Sequence, residues 1–373
     1  MAVTAAILGR GPAQAVARNM ARKLISTRPG RSVLGRGFAS PLGSRTGRCI
    51  VVCGTRRHAR RMIDGVRFKP LLYVPAVVTL ARLRRRIGPP PAPLTLSAVY
   101  ATPAVIAYAL PRWRLRTYLV WLAHMWAYKI AFEVPYDRPE KLRLRLRVDE
   151  PISIDRVIGF GIPVSERLQR RLRRPPELTV LDKALTGVYL FWEVEPHLAL
   201  AWLLKRHPSR FIGAALRLAL TYDATLLGYF ATPTAPPWWA SEHEGRMNGQ
   251  VRRVVAEVMR ALQRESRPGS PDEHESDANP WAAWPSDHFA SALSAAMALV
   301  EADPRAGIAG FGYAGALGVA LVYTGEHYVI DLLLGAMLAL FIRGAESLLD
   351  NRRMLVAAAQ PAPRWKRLRR RRG

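Results

Sequence analysis

The chain has 373 residues, half of them hydrophobic, and a formal net charge of +28. That pairing excludes an ordinary soluble domain and leaves a membrane protein with basic loops or a nucleic-acid binder with a large core. The apolar residues fall in long blocks with arginines between them and at the ends, and no nucleic-acid motif is present, so the composition favours a membrane and argues against nucleic acid.

Residues 1–63 contain no acidic residue and are rich in Arg, Ala, Ser and Gly. This profile resembles an organelle transit peptide and equally fits an upstream extension preceding a start at Met62; either way the segment is expected to be disordered and outside the fold. Its two cysteines, Cys49 and Cys53, cannot complete a four-ligand zinc site and read as inert thiols. Residues 64–110 are expected to form membrane-proximal helices, residues 111–350 the membrane domain, and residues 351–373 a basic cytoplasmic tail.

A spanning helix needs about 20 mainly apolar residues. Residues 70–83 are too few and are expected to lie on the membrane surface; residues 96–110 are marginal. Blocks at 115–134, 185–204, 211–230, 289–300, 308–323 and 327–342 complete an all-α, multi-pass transmembrane bundle of about six spans. Glu193, Glu195 and His197 fall near the second of these blocks, where they either line a polar cavity or hydrogen-bond between helices. Two polar segments interrupt the pattern. Residues 135–184 form a basic loop, read as a rim facing an anionic substrate. In the other, a Pro-rich bend at 233–237 precedes Trp238 and Trp239, expected as interfacial anchors, and an amphipathic helix over 246–264. A Ser/Pro/Asp/Glu linker then runs up to Asn279. The basic turns at 112–116, 205–210 and Arg305, with the tail, place one side in the cytoplasm.

Two short segments carry chemistry. Trp284-Pro285-Ser286-Asp287-His288 opens one membrane helix, and Thr324-Gly325-Glu326-His327-Tyr328-Val329-Ile330-Asp331 opens another. With one helix up and one down between them, both fall on the same membrane face. His327 and Asp331, four residues apart, share a helix face, so the carboxylate can orient one imidazole nitrogen and leave the other as a nucleophile. Ser286 sits at a helix N-cap, where free N–H groups favour a phosphate, and His288 in the first turn is placed to protonate a leaving oxygen. Glu326 reads as a solvated neighbour of the site.

Pro-Ser-x-His followed by His-Tyr-x-x-Asp resembles the second and third signature motifs of the phosphatidic acid phosphatase type 2 superfamily, which includes lipid phosphate phosphatases and vanadium haloperoxidases. The likeness is closest to the branch of inositol phosphorylceramide and sphingomyelin synthases, whose members often carry an Asn-Pro and small residues before the motif, as Asn279-Pro280-Trp281-Ala282-Ala283 does here. The resemblance spans residues 115–348. It implies that His327 is a nucleophile forming a phosphohistidine, Asp331 its orienting carboxylate, His288 the general acid and Ser286 a phosphate-binding hydroxyl. The first motif is suggested by Lys129 and Arg138-Pro139, at a spacing two residues too long, and these two cations would bind substrate phosphate. The Ser-Arg pair of the phosphatase branch is replaced by Ala320 and Leu321, which removes a phosphate-gripping arginine and leaves room for head-group exchange.

The expected function is a metal-independent, cofactor-free membrane phosphotransferase or phosphatase acting on lipid phosphates, such as inositol-phosphate transfer, with membrane lipids as its partners. The expected address is a bacterial cell membrane, with the site facing away from the cytoplasm. The alternatives are a plain lipid phosphatase acting on phosphatidic acid or a polyprenyl diphosphate, a non-catalytic membrane scaffold, and a charge-driven nucleic-acid binder.

Overall fold

The computed structural model describes residues 66–266 and 279–359. The expected N-terminal extension with Cys49 and Cys53, the linker over residues 267–278 and the basic tail from 360 onward lie outside the described residues. The described residues fall into two compact units, those within Met1–Asp137 and Val254–Asn279 and those within Arg138–Arg253 and Pro280–Gly373. Among the described residues the regular structure is helical, with isolated bridges in place of strands.

The first unit opens with two helices, α1 (Phe68–Leu71) and α2 (Tyr73–Leu83), in the region expected at the membrane surface. Helix α3 (Ala92–Ala109) follows Pro89-Pro90-Pro91 and carries Pro93 in its first turn, where a missing N–H costs no intrahelical bond. It packs against α4 (Arg114–Glu133), which ends in a 3-10 turn, Val134–Asp137. Arg84, at the end of α2, is buried and bonds Glu133 at 2.8 Å and Asp137 at 2.9 Å, while Arg85 bonds Asp137 at 2.8 Å. A buried guanidinium persists only when paired, so this cluster fixes the end of α2 to the end of α4.

The second unit begins where the sequence reads as a basic loop, and its polar stretch is instead folded into short helices: α5 (Pro139–Arg143), α6 (Asp149–Ile158) and α7 (Val164–Leu172). The apolar block at 185–204 forms two 12-residue helices, α8 (Val180–Phe191) and α9 (Glu195–Arg206), rather than one rod. Pro196 in the first turn of α9 cannot continue a helix from α8, and Glu195 beside it breaks the apolar run. Helix α10 (Pro208–Ala231) follows, then α11 (Pro237–Glu244). The amphipathic helix expected over 246–264 starts later, as α12 (Val254–Ser266), which groups with the first unit. Its predicted first turns are a 3-10 segment in which Met247 and Asn248 take positive φ, incompatible with α-helix.

Helix α13 (Asp287–Ala302) lies at the centre of the second unit and packs against α9, α10, α14 (Pro304–Tyr323) and α15 (Val329–Ala359). Its buried face is built from Ala290, Ala292, Ala295, Ala296 and Ala298, small side chains that let neighbouring helices approach closely. The fold is thus an all-α membrane bundle. Among the described residues four helices are long and apolar enough to cross a membrane: α3, α10, α14 and the Val329–Leu349 portion of α15. Helix α13, with 16 residues, is about 24 Å long, short of the roughly 30 Å hydrocarbon core. It is bounded by the Ser286 cap and by the Asp303-Pro304 turn, where Asp303 caps α14.

Candidate active site

The first turns of α13 and α15 meet. The Ser286 amide donates to the Asp331 carbonyl at 3.0 Å, so the two motifs are joined through their main chains. The approach leaves no room for a side chain at Gly335, where a Cβ would stand 2.6 Å from the Ser286 carbonyl oxygen. Tyr229 of α10 steadies the same turn by donating to the Pro285 carbonyl at 2.9 Å and accepting from the Asp287 amide at 3.2 Å.

In this frame His327, Asp331 and His288 form one chain of contacts. His327 Nδ1 lies 3.1 Å from Asp331 Oδ2, and the same carboxylate oxygen accepts from the Tyr328 amide at 2.8 Å. His327 Nε2 lies 3.3 Å from His288 Nδ1. With Nδ1–H donating to the carboxylate, Nε2 keeps its lone pair and is the nitrogen that faces His288. Asp331 is fully buried, and its Oδ1 has no hydrogen-bond partner among the described residues. His327 is almost as deep, whereas the His288 side chain keeps 17% of its surface, so the site opens on the His288 side.

Ser286 caps α13, accepting from the Phe289 amide at 3.3 Å, and is fully buried. Arg138 is the exposed N-cap residue of α5, and Lys129 is exposed on α4 in the first unit; neither is hydrogen-bonded to His288, His327 or Asp331. Glu326, expected to be solvated, is buried and paired with Arg253 at 2.9 Å. Trp238 and Trp239 are buried side chains of α11 rather than exposed anchors: Trp238 lies under the Arg253 guanidinium, 4.4 Å away, and Trp239 stacks on His243. The bend at Pro236 and Pro237 turns them into the protein.

Several residues of the site escape a reading of the sequence. Asp155, on α6, accepts from the Val329 amide at 2.8 Å and the Val164 amide at 2.9 Å, capping α15 and α7 with one carboxylate. Burial pushes its carboxyl above the usual range, against the backbone N–H groups that pull it down. Asp287 Oδ1 stands 2.8 Å from His288 Nδ1; it was in view as the third residue of Pro-Ser-Asp-His. Trp192, in the turn after α8, places its ring 4.0 Å from that of His288 and donates to Ser291 Oγ at 2.8 Å, and Tyr189 stacks on the same imidazole at 5.3 Å. Nothing in the sequence separates these aromatics from ordinary core residues.

The sequence suggests no cluster of metal ligands, yet Asp287, His288 and His327 each bring one ligand atom within 4.8 Å of the others. The arrangement can therefore do two kinds of chemistry: present a lone-pair nitrogen backed by a carboxylate, or gather three donors of the borderline type that zinc accepts.

No curated protein and no solved structure matches the chain. A family model described as the PAP2 superfamily matches residues 152–345, just over half of the chain. That stretch runs from α6 through most of α15 and contains both histidine motifs, while Lys129 and Arg138 lie outside it. The chain belongs to the PAP2 superfamily.

Proposed function

We infer that this chain is a membrane-embedded enzyme that transfers a phosphoryl or phospho-head group of a lipid phosphate through a covalent histidine, with inositol-phosphate transfer of the phosphorylceramide-synthase kind as its specific form. The observation that carries the reading is the contact chain Asp331 Oδ2–His327 Nδ1 at 3.1 Å and His327 Nε2–His288 Nδ1 at 3.3 Å.

In the first step the Nε2 lone pair of His327 attacks phosphorus. The bond from phosphorus to the lipid oxygen breaks, and the departing oxygen takes a proton from His288. Asp331 holds the His327 tautomer and stabilises the charge that develops on the ring. In the second step an incoming hydroxyl gives its proton to His288 and attacks phosphorus, breaking the phosphorus–nitrogen bond. A lipid alcohol in that role gives a transferase, and water a phosphatase. The resting rings are too close to hold a phosphoryl group between them. An in-line arrangement needs roughly 6 Å between the two nitrogens, so His288 swings away on binding. Ser286 and Arg138 are the phosphate contacts in this scheme, and the reaction proceeds at an outward-facing membrane surface without a metal.

The test is phosphate release and head-group transfer from labelled lipid phosphates by the full chain in nanodiscs, with and without an alcohol acceptor. His327→Ala is expected to abolish both reactions; full turnover in that variant sinks the reading. Chelators are expected to leave turnover unchanged. Loss on chelation, restored by zinc, would assign Asp287, His288 and His327 to a metal instead.

A further inference from the structure

The site is rich in carboxylates. Asp287, Asp331 and Glu326 stand within or beside the histidine pair, and Ala320 and Leu321, which stand where the phosphatase branch carries a Ser-Arg pair, are apolar and fully buried. An anionic ligand needs a cation there. One is held in place on the same side of the bundle. We propose that Arg253 binds the substrate phosphate, with Glu326 as the carboxylate that parks its guanidinium until the phosphate arrives. This rests on the phosphotransfer reading and deepens it.

Three observations make Arg253 a built group rather than a surface charge. Its backbone segment is pinned on several sides. The Val251 amide donates to Ser241 Oγ at 2.9 Å, the Arg252 amide to Gln169 Oε1 at 2.9 Å, and the Arg253 amide to Glu242 Oε1 at 3.1 Å. Gln169 then ties this segment to the end of α14, donating to the Arg252 carbonyl at 2.9 Å and to the Tyr323 carbonyl at 2.8 Å.

The segment also lies against the turn that carries His327. Gly325 has φ +79, a conformation that favours glycine, and a Cβ there would meet the Arg252 carbonyl oxygen at 2.9 Å. The guanidinium itself is sandwiched in function, with its face over Trp238 at 4.4 Å and its Nε on Glu326 at 2.9 Å. Glu326 adjoins His327 in the chain and lies within electrostatic reach of His288, and Arg253 lies within reach of Tyr189, whose ring stacks on His288.

The exposure pattern fits an exchange of partners. Glu326 keeps 9% of its side-chain surface and Arg253 keeps 26%, so the arginine is the more accessible of the two. A planar guanidinium grips a phosphate through two parallel hydrogen bonds, and a doubly charged phosphate competes well against one carboxylate for them. The stacking on Trp238 pre-orients the group and lowers the cost of immobilising it.

The probe is orthovanadate, titrated calorimetrically into the full chain in nanodiscs, alongside turnover of a lipid phosphate. Arg253→Met is expected to weaken vanadate binding by about 10- to 100-fold, the worth of charge-assisted hydrogen bonds, with the loss appearing in KM more than in kcat. Arg253→Lys keeps the charge but not the fork, and recovers only part of the loss. Glu326→Gln removes the competing carboxylate and is expected to tighten vanadate several-fold. If Arg253→Met fails to give a cooperative melt, the lysine and glutamine variants decide. Vanadate affinities within twofold of the unmodified chain in both overturn the proposal. His327→Ala separates the two levels. Retained turnover there removes the phosphotransfer reading itself, whereas a dead His327→Ala with unaltered Arg253→Lys and Glu326→Gln removes only the role of Arg253.

Discussion

At the C-terminal end of α13, Glu301 accepts from Arg217 at 2.9 Å and from Arg343 at 2.6 Å, and Arg217 reaches Glu346 at 2.7 Å. At the N-terminal end, roughly 21 Å away along the helix, His288 and His327 stand among Asp287, Asp331 and Glu326. Both clusters join α13 to α15 and both are largely withdrawn from water. The first is balanced, with two guanidiniums against two carboxylates. The second is unbalanced toward the acids: Glu326 is paired with Arg253, Asp287 and Asp331 face the histidines, and a buried oxygen of Asp331 lacks a hydrogen-bond partner among the described residues. A balanced cluster holds helices together, whereas an unbalanced one stores a demand for a ligand or a proton.

The sharpest way to break this contrast is to exchange a carboxylate for its amide at the unbalanced end. Asp331→Asn keeps an acceptor for the Tyr328 amide but no longer fixes the His327 tautomer. Turnover is expected to fall by about 10⁴-fold, with the melting temperature unchanged or raised because a buried charge is gone. A fall of less than tenfold would take Asp331 out of the orienting role and leave it as a cap.

At the balanced end the same kind of change should do the reverse. Arg217 is 4% exposed, and Arg217→Met leaves Glu301 and Glu346, each about a quarter exposed, with Arg343 as their remaining partner. The expected cost is about 3 kcal/mol of stability, read from denaturant or thermal unfolding, with turnover per folded molecule unaltered. An equal loss of turnover per folded molecule would show that the two ends are coupled through α13.

What the sequence revealed follows the same division. The bundle was legible because long apolar blocks have a single physical outcome in a bilayer, and α10 and α14 lie close to where those blocks fall. The histidines and Asp331 were legible because polar residues at the head of an apolar helix are rare and their spacing is helical. The break between α8 and α9 needed weight given to Pro196 and Glu195, which a running average of hydropathy hides. Asp155, Trp192 and Arg253 were invisible for a different reason: each acts through a partner more than 70 residues away in the chain, and no local pattern encodes such a pairing.

Asp155 sharpens the comparison because it is a carboxylate with a structural task beside the unbalanced end. Asp155→Ala removes acceptors from the Val329 and Val164 amides together. The expected loss is roughly 3 kcal/mol, since hydrogen bonds to a charged acceptor outweigh neutral ones. Turnover should fall with it, because Val329 begins the helix that carries Asp331. Asp155→Asn restores one acceptor and sets its NH2 against the other backbone N–H, so it should recover only part of both. Recovery of stability without turnover would mean that the charge of Asp155 is felt by the histidines.

Trp192 gives the smallest effect and the finest distinction. Its ring supports the His288 imidazole at 4.0 Å, and its Nε1 donates to Ser291, which already bonds the Asp287 carbonyl at 2.7 Å. Trp192→Phe keeps an aromatic face and loses the donor. Ser291 remains satisfied, so the cost should be about 1 kcal/mol in unfolding experiments. If the ring serves only to pack the turn between α8 and α9, turnover follows the folded fraction. If it guides the swing of His288 that admits phosphate, turnover drops several-fold at fixed stability while vanadate affinity holds, because the ligand still finds its cation and only the proton donor is misplaced.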